Sequence, residues 1–209
     1  MHIRRLTLAI VTFGLMVCMI SCSKGDTRTY YETPESTISL DDYQSYAIIY
    51  ITYGGDYDSV YGNISGVILY TDASAVSYTC PFDLEIMYVD TDELVSDPES
   101  LARIRSLQSP DRETADDIFS LLKDVNPNAP TKVTEDIPTM KGVPEESPEA
   151  EYQLFGYYVN SEGEYQRLAL DTKGYAISNL VDANSEKICK WFFEQQSQWG
   201  FQTYTPQMQ

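Results

Sequence analysis

From Ser45 onward the apolar positions fall in short runs that suit strands. SYAIIYITY, then ISGVILYT from Ile64, then SYTCPFDLEIMYVD from Ser77, are rich in β-branched and aromatic residues and predict three strands. In the third, Phe82, Leu84, Ile86 and Tyr88 alternate with Asp83, Glu85, Met87 and Val89, so one face is expected buried and the other partly wet. The first is apolar on both faces, which predicts a central place in a sheet. Two helices are expected next. Asp97-Pro98 offers an N-cap and a first-turn proline ahead of Leu101, Ile104 and Leu107, and Ser109-Pro110 repeats the device ahead of Ala115, Ile118, Phe119 and Leu122. Together they predict a helical hairpin.

The pattern lapses at about residues 126–151, where five of the ten prolines and many acids predict a long exposed loop or a hinge. Strand periodicity then returns in EYQLFGYYV, EYQRLALD and YAISNLV. The intervening Asn160-Ser161-Glu162-Gly163 and Asp171-Thr172-Lys173-Gly174 have the Asx start and late glycine of hairpin loops, so a three-stranded meander is expected. A last helix beginning near Asp182 places Ile188, Cys189, Phe192 and Trp199 on one face, widened by Trp191 and Phe193. The fold class read from this order is α+β: an antiparallel sheet of about six strands packed by the helical hairpin and the C-terminal helix. Residues 44–209 are expected to form one domain, a length that suits a single core.

The first residues obey a different rule. Arg4 and Arg5 precede an apolar run from Leu6 to Ile20, and the small residue Ser21 precedes Cys22. As a helix the run would span roughly 22 Å, short of the bilayer's hydrocarbon core of about 30 Å, which disfavours a permanent span. The layout is that of a secretory signal over residues 1–21. With Cys22 directly after the small residue, it resembles the lipobox of bacterial lipoprotein precursors, although Met19 stands where an aliphatic residue is usual. The resemblance implies cleavage before Cys22, diacylglycerol on its thiol, and anchoring in a membrane of the cell envelope. Ser23 and Lys24, in place of an aspartate, resemble the type exported to an outer membrane. The polar residues 22–43 then read as a tether, with Tyr30 and Tyr31 able to pack on the domain.

Charge narrows the partners. Removal of residues 1–21 leaves 12 Lys+Arg against 32 Asp+Glu, a net charge of −20, and takes away His2, the chain's one histidine. Such a charge repels nucleic acid and anionic membrane surfaces, so lipid rather than charge must hold the protein to a bilayer. Without histidine there is no Ser-His-Asp or Cys-His catalysis and no histidine metal site. No cofactor motif is present, and no catalytic residue is assigned.

Candidate chemistry is sparse. Cys80 and Cys189 are the remaining cysteines beyond the anchor, and an envelope location permits either a disulfide between them or two separate buried thiols. Asp90, Asp92, Glu93, Asp97 and Glu99 lack the glycine and spacing of a calcium loop and read as a solvated connection. Asp116-Asp117 reads as a wet helix face, and Asp41-Asp42 as tether charge. The most site-like stretch is Tyr53, Asp56, Tyr57, Asp58 and Tyr61, where glycines present tyrosines and carboxylates in a connection between strands, a composition that suits sugar rings or a protein contact. Within it, Asp58-Ser59-Val60 resembles the short O-glycosylation acceptor motif of Bacteroidetes envelope proteins. These features predict a non-enzymatic binding or accessory lipoprotein for a protein partner or glycan. The alternative is a small carbohydrate-active enzyme using two carboxylates, a scheme that needs no histidine.

Overall fold

The computed structural model describes residues 27–54, 61–83, 90–136, 152–174 and 176–200. Its centre is a nine-stranded, wholly antiparallel sheet, three strands more than expected, so the class remains α+β with the sheet dominant. The strands are β1 (Thr27–Glu32), β2 (Tyr43–Gly54), β3 (Tyr61–Tyr70), β4 (Ala75–Asp83), β5 (Arg103–Ser106), β6 (Thr131–Asp136), β7 (Tyr152–Asn160), β8 (Tyr165–Lys173) and β9 (Ala176–Leu180). Their order across the sheet is β1-β6-β9-β8-β7-β2-β3-β4-β5.

The four described helices are α1 (Thr91–Ser96), α2 (Pro98–Leu101), α3 (Arg112–Lys123) and α4 (Ala183–Gln198). Helices α3 and α4 cover one face, where Ile118, Phe119, Leu122, Ile188 and Phe192 meet Ile48, Tyr50, Val67, Leu69, Leu154 and Leu170. Leu94 and Val95 of α1 cover the other, against Ala47, Ile49, Ile51, Ile68 and Tyr157. As its pattern predicts, β2 lies inside the sheet between β3 and β7, buried on both faces. Each fully buried Ile or Phe contributes about 1.5–3 kcal/mol, so the two helix layers account for much of the stability of this sheet.

The additional strands carry little apolar signal. Within the expected tether, Thr27–Glu32 forms β1 on the sheet edge, and within the expected loop at 126–151, Thr131–Asp136 forms β6 beside it. Cross-strand polar pairs join them: Thr29 to Thr134 at 3.3 Å, and Arg28 to Glu135 at 3.7 Å. The rest of that loop, 137–151, lies outside the described residues. The predicted helical hairpin is corrected. After α1 and the single turn α2, the chain runs out as β5 along β4, and α3 sits on the opposite face from α1. Leu101 and Ile104 pack below the sheet, whereas Leu107 packs with the α3 layer. Pro98 opens α2 as expected, but α3 is capped by Asp111 rather than Ser109, its carboxylate accepting from the Thr114 N–H at 2.8 Å.

The meander β7-β8-β9 is present. Asn160 accepts from the N–H groups of Glu162 and Glu164, and Gly163 takes the left-handed conformation at φ 82°, the turn its sequence predicts. The second expected turn is displaced: Asp171 through Lys173 continue β8, and the chain reverses only at Gly174. The final helix is as expected, with Asp182 capping α4 by accepting from the N–H groups of Asn184 and Ser185, both at 2.9 Å. Among the described residues no helix is long and apolar enough to cross a membrane.

Candidate binding cleft

A cleft of about 570 Å³ opens where the C-terminal end of α3 overhangs the start of β2. Three local choices make it. Gly156 on β7 lets α3 settle close to the sheet, since a Cβ there would stand 2.5 Å from Leu122 Cδ1. Tyr158 then donates to the Leu122 carbonyl at 2.9 Å, fastening the last turn of the helix. Burial, reinforced by the Asp182 charge, pushes the Tyr158 phenol well above its usual value, so it remains a donor. Finally, the β2–β7 register shifts between Ser45 and Ala47. This irregularity leaves Tyr46 packed on the α1 side while Tyr43 stays with the α3 layer and Ser45 pairs with Tyr158.

The floor is thus Tyr43, Ser45 and Tyr158, and the far wall is the segment Thr37–Asp41. That wall is held by Asn128, whose amide imitates a strand neighbour: its Oδ1 accepts from the Ile38 N–H at 2.7 Å and its Nδ2 donates to the Ile38 carbonyl at 2.8 Å. Asn128 is itself placed by an Asx turn, its N–H donating to Asn126 Oδ1 at 3.0 Å. Ser39 donates to Asp41 at 2.9 Å, and Lys123 contributes one cation at the rim. Ser45 Oγ is withdrawn from solvent with no hydrogen-bond partner among the described residues. The lining combines an aromatic face with hydroxyl and amide groups and a single carboxylate. Such a surface holds a ligand by stacking and neutral hydrogen bonds, and its volume lies within the usual range for small-ligand sites.

The second unusual group is Asp171, the one buried carboxylate among the described residues, 7 % exposed beneath α4. It accepts from Asn179 Nδ2 at 2.9 Å and from the Tyr152 hydroxyl at 3.4 Å. Burial raises its pKa to about 6, with the Tyr152 hydrogen bond opposing. Cys189 lies close by, its thiol pushed up to about 12 by burial first and then by the Asp171 charge. Asp171 does not line the cleft, whose described lining holds one carboxylate, Asp41.

The residues singled out by sequence fall as follows. Cys22, Asp56, Tyr57 and Asp58 lie outside the described residues; Tyr53 and Tyr61 enter only as backbone, at the end of β2 and the start of β3. Cys80 and Cys189 are free thiols on opposite faces of the sheet, the first in the layer of α1 and the second in that of α4, so no bond joins them. Asp90 caps α1, accepting from Asp92 and Glu93, and no group of side chains that could hold a metal occurs among the described residues. Asp116 and Asp117 are exposed on α3, Asp116 pairing with Arg112 at 3.0 Å. Sequence reasoning missed Tyr43, Ser45, Asn128 and Asp41 as lining residues. The available signals were the Asx-turn spelling Asn126-Pro127-Asn128 and the alternation of Ile38 and Leu40 with polar neighbours. No known family model, curated protein or solved structure matches the chain.

Proposed function

We propose that this is a lipid-anchored lipoprotein of the bacterial envelope, acting as a non-enzymatic binding module that takes an uncharged glycan segment in the cleft below α3. The observation that carries the reading is the floor of that cleft, formed by Tyr43, Ser45 and Tyr158, where the Ser45 hydroxyl is shielded and has no hydrogen-bond partner among the described residues. A sugar ring stacked on Tyr43 would supply that hydroxyl with its missing partner once the Ser45 side chain turns into the cleft, and a neutral ligand avoids the repulsion that a mature chain of net charge −20 imposes on anions. Lipid on Cys22 would keep the cleft at the membrane surface.

The test is titration calorimetry of the mature chain against neutral oligosaccharides, alongside Tyr43→Ala and Ser45→Val. Each substitution is expected to weaken binding by about tenfold, the loss of one stacked ring or one buried hydrogen bond, with the melting transition preserved. Glycan affinity unchanged in both variants would refute the site. A protein partner captured from solubilised envelopes and lost in the same two variants would reassign the cleft to protein recognition. Cys22→Ala is expected to release the chain from the membrane pellet; retention there would refute the anchor.

A further inference from the structure

β1 forms one end of the sheet, and among the described residues nothing pairs with its outer edge. Natural edges of this kind are shortened, bulged, broken by proline or guarded by charged side chains; here the two charges, Arg28 and Glu32, are of opposite sign and do not repel a second copy of the same strand. This one is six residues long, regular in register with β6 and free of proline. It also presents Tyr31, 63 % exposed, the most exposed large hydrophobic residue among those described.

We infer that β1 is a self-pairing surface, joining a second copy of this chain antiparallel about a two-fold axis through Tyr30. The register follows from geometry and charge. A two-fold axis perpendicular to the sheet keeps each residue on its own face, and residues opposite one another in a ladder must share a face. Residue 29 therefore cannot oppose residue 30 of the second copy; only registers that centre on a single residue survive. Centring on Thr29 sets Arg28 against Tyr30, and centring on Tyr31 pairs only three residues of each strand. Centring on Tyr30 sets Arg28 opposite Glu32 twice, once in each direction. Oppositely charged cross-strand pairs stabilise a ladder.

The same register covers what is exposed. Tyr31 meets Thr29 of the second copy on one face of the sheet, and the two Tyr30 rings meet on the other. Arg28 is already aligned for this: it lies 4.9 Å from the Tyr30 ring centroid, with Glu135 of β6 at 3.7 Å on the same face. Its guanidinium would then lie between Glu135 of its own chain and Glu32 of the second. One strand pair buries less than a stable interface in free solution requires. The pairing therefore rests on the lipid-anchored reading for its strength. Thr27 is five residues beyond Cys22, a reach of at most about 18 Å, so anchored copies would hold their β1 edges at one height and high effective concentration.

The experiment is oxidative cross-linking of the full chain in membranes. Opposed residues in an antiparallel ladder lie within disulfide range, so Tyr30→Cys is expected to give a covalent dimer. Thr29→Cys and Tyr31→Cys should cross-link with each other when mixed, and weakly alone. Arg28→Glu in the Tyr30→Cys background should reduce the dimer by about tenfold, and adding Glu32→Arg should restore it. A dimer from Thr29→Cys alone as abundant as that from Tyr30→Cys, no dimer from Tyr30→Cys, or no rescue by the double exchange would each overturn the pairing. The membrane pellet reads the anchor separately: if the chain is found outside it, the anchor fails, and the same oxidation of concentrated protein still decides the strand register.

Discussion

Asp171 shows at the scale of one residue how local spelling and tertiary placement diverge. Followed by Thr172, Lys173 and Gly174, it has the sequence of an exposed turn. The β7–β8 register shifts between Leu154 and Phe155, placing Asp171 opposite Leu154 on the same buried face as Leu170. The displaced carboxylate accepts from Asn179 and Tyr152 and is largely shielded from solvent. Its pKa near 6, against the usual 3.8, means that the folded protein binds a proton there which the unfolded chain has released. Stability from this group is therefore complete below pH 4 and is lost as pH rises through 6. Asp171→Asn keeps the shape and removes the titration. Relative to that variant, the wild type is expected to lose about 2–3 kcal/mol between pH 4 and pH 7, read as a widening gap in melting temperature. A gap constant with pH would refute the assignment.

At the scale of elements, what was legible is what repeats regularly. The central strand β2, the meander and the final helix carry their own periodicity, turn residues and cap, so their existence follows from local chemistry. Asp182 is the clearest case. Two carboxylate hydrogen bonds at 2.9 Å, plus one to the Asn126 N–H at 3.3 Å, tie the start of α4 to the loop that walls the cleft. Asp182→Ala is expected to cost about 1–2 kcal/mol in denaturant midpoint, more than an isolated cap would, because the Asn126 contact goes with it. A change below about 0.5 kcal/mol would place the capping role elsewhere. The elements misread were short or polar. The spacing of Leu101, Ile104 and Leu107 fits a helix as well as it fits a turn followed by the short strand β5, and only pairing with β4 decides between them. β1 is largely exposed and β6 buries only Val133 among its described side chains, so neither holds an apolar run, and they exist as strands through each other and β9.

The whole molecule decides which residues meet. A sheet separates Cys80 from Cys189, so reductant is expected to leave the mass after alkylation unchanged. Both thiols should react at the rate of unfolding rather than in the native state, Cys80 being buried and the Cys189 thiol strongly disfavoured as thiolate. Fast native labelling of both, or labelling only after reduction, would contradict the layering. The cleft likewise brings together Thr37–Asp41, Tyr43 and Ser45, the end of α3 and Tyr158, segments far apart along the chain. By itself the sequence determined the strand-rich class, the capped final helix, the strongly acidic charge and the lipobox-like start. Each of these depends on residue type and on neighbours a few positions away. The tertiary structure alone decided the nine-strand order, the faces on which the thiols lie, the burial of Asp171 and the existence of the cleft, because these depend on pairings and bulges between distant segments that no local periodicity encodes.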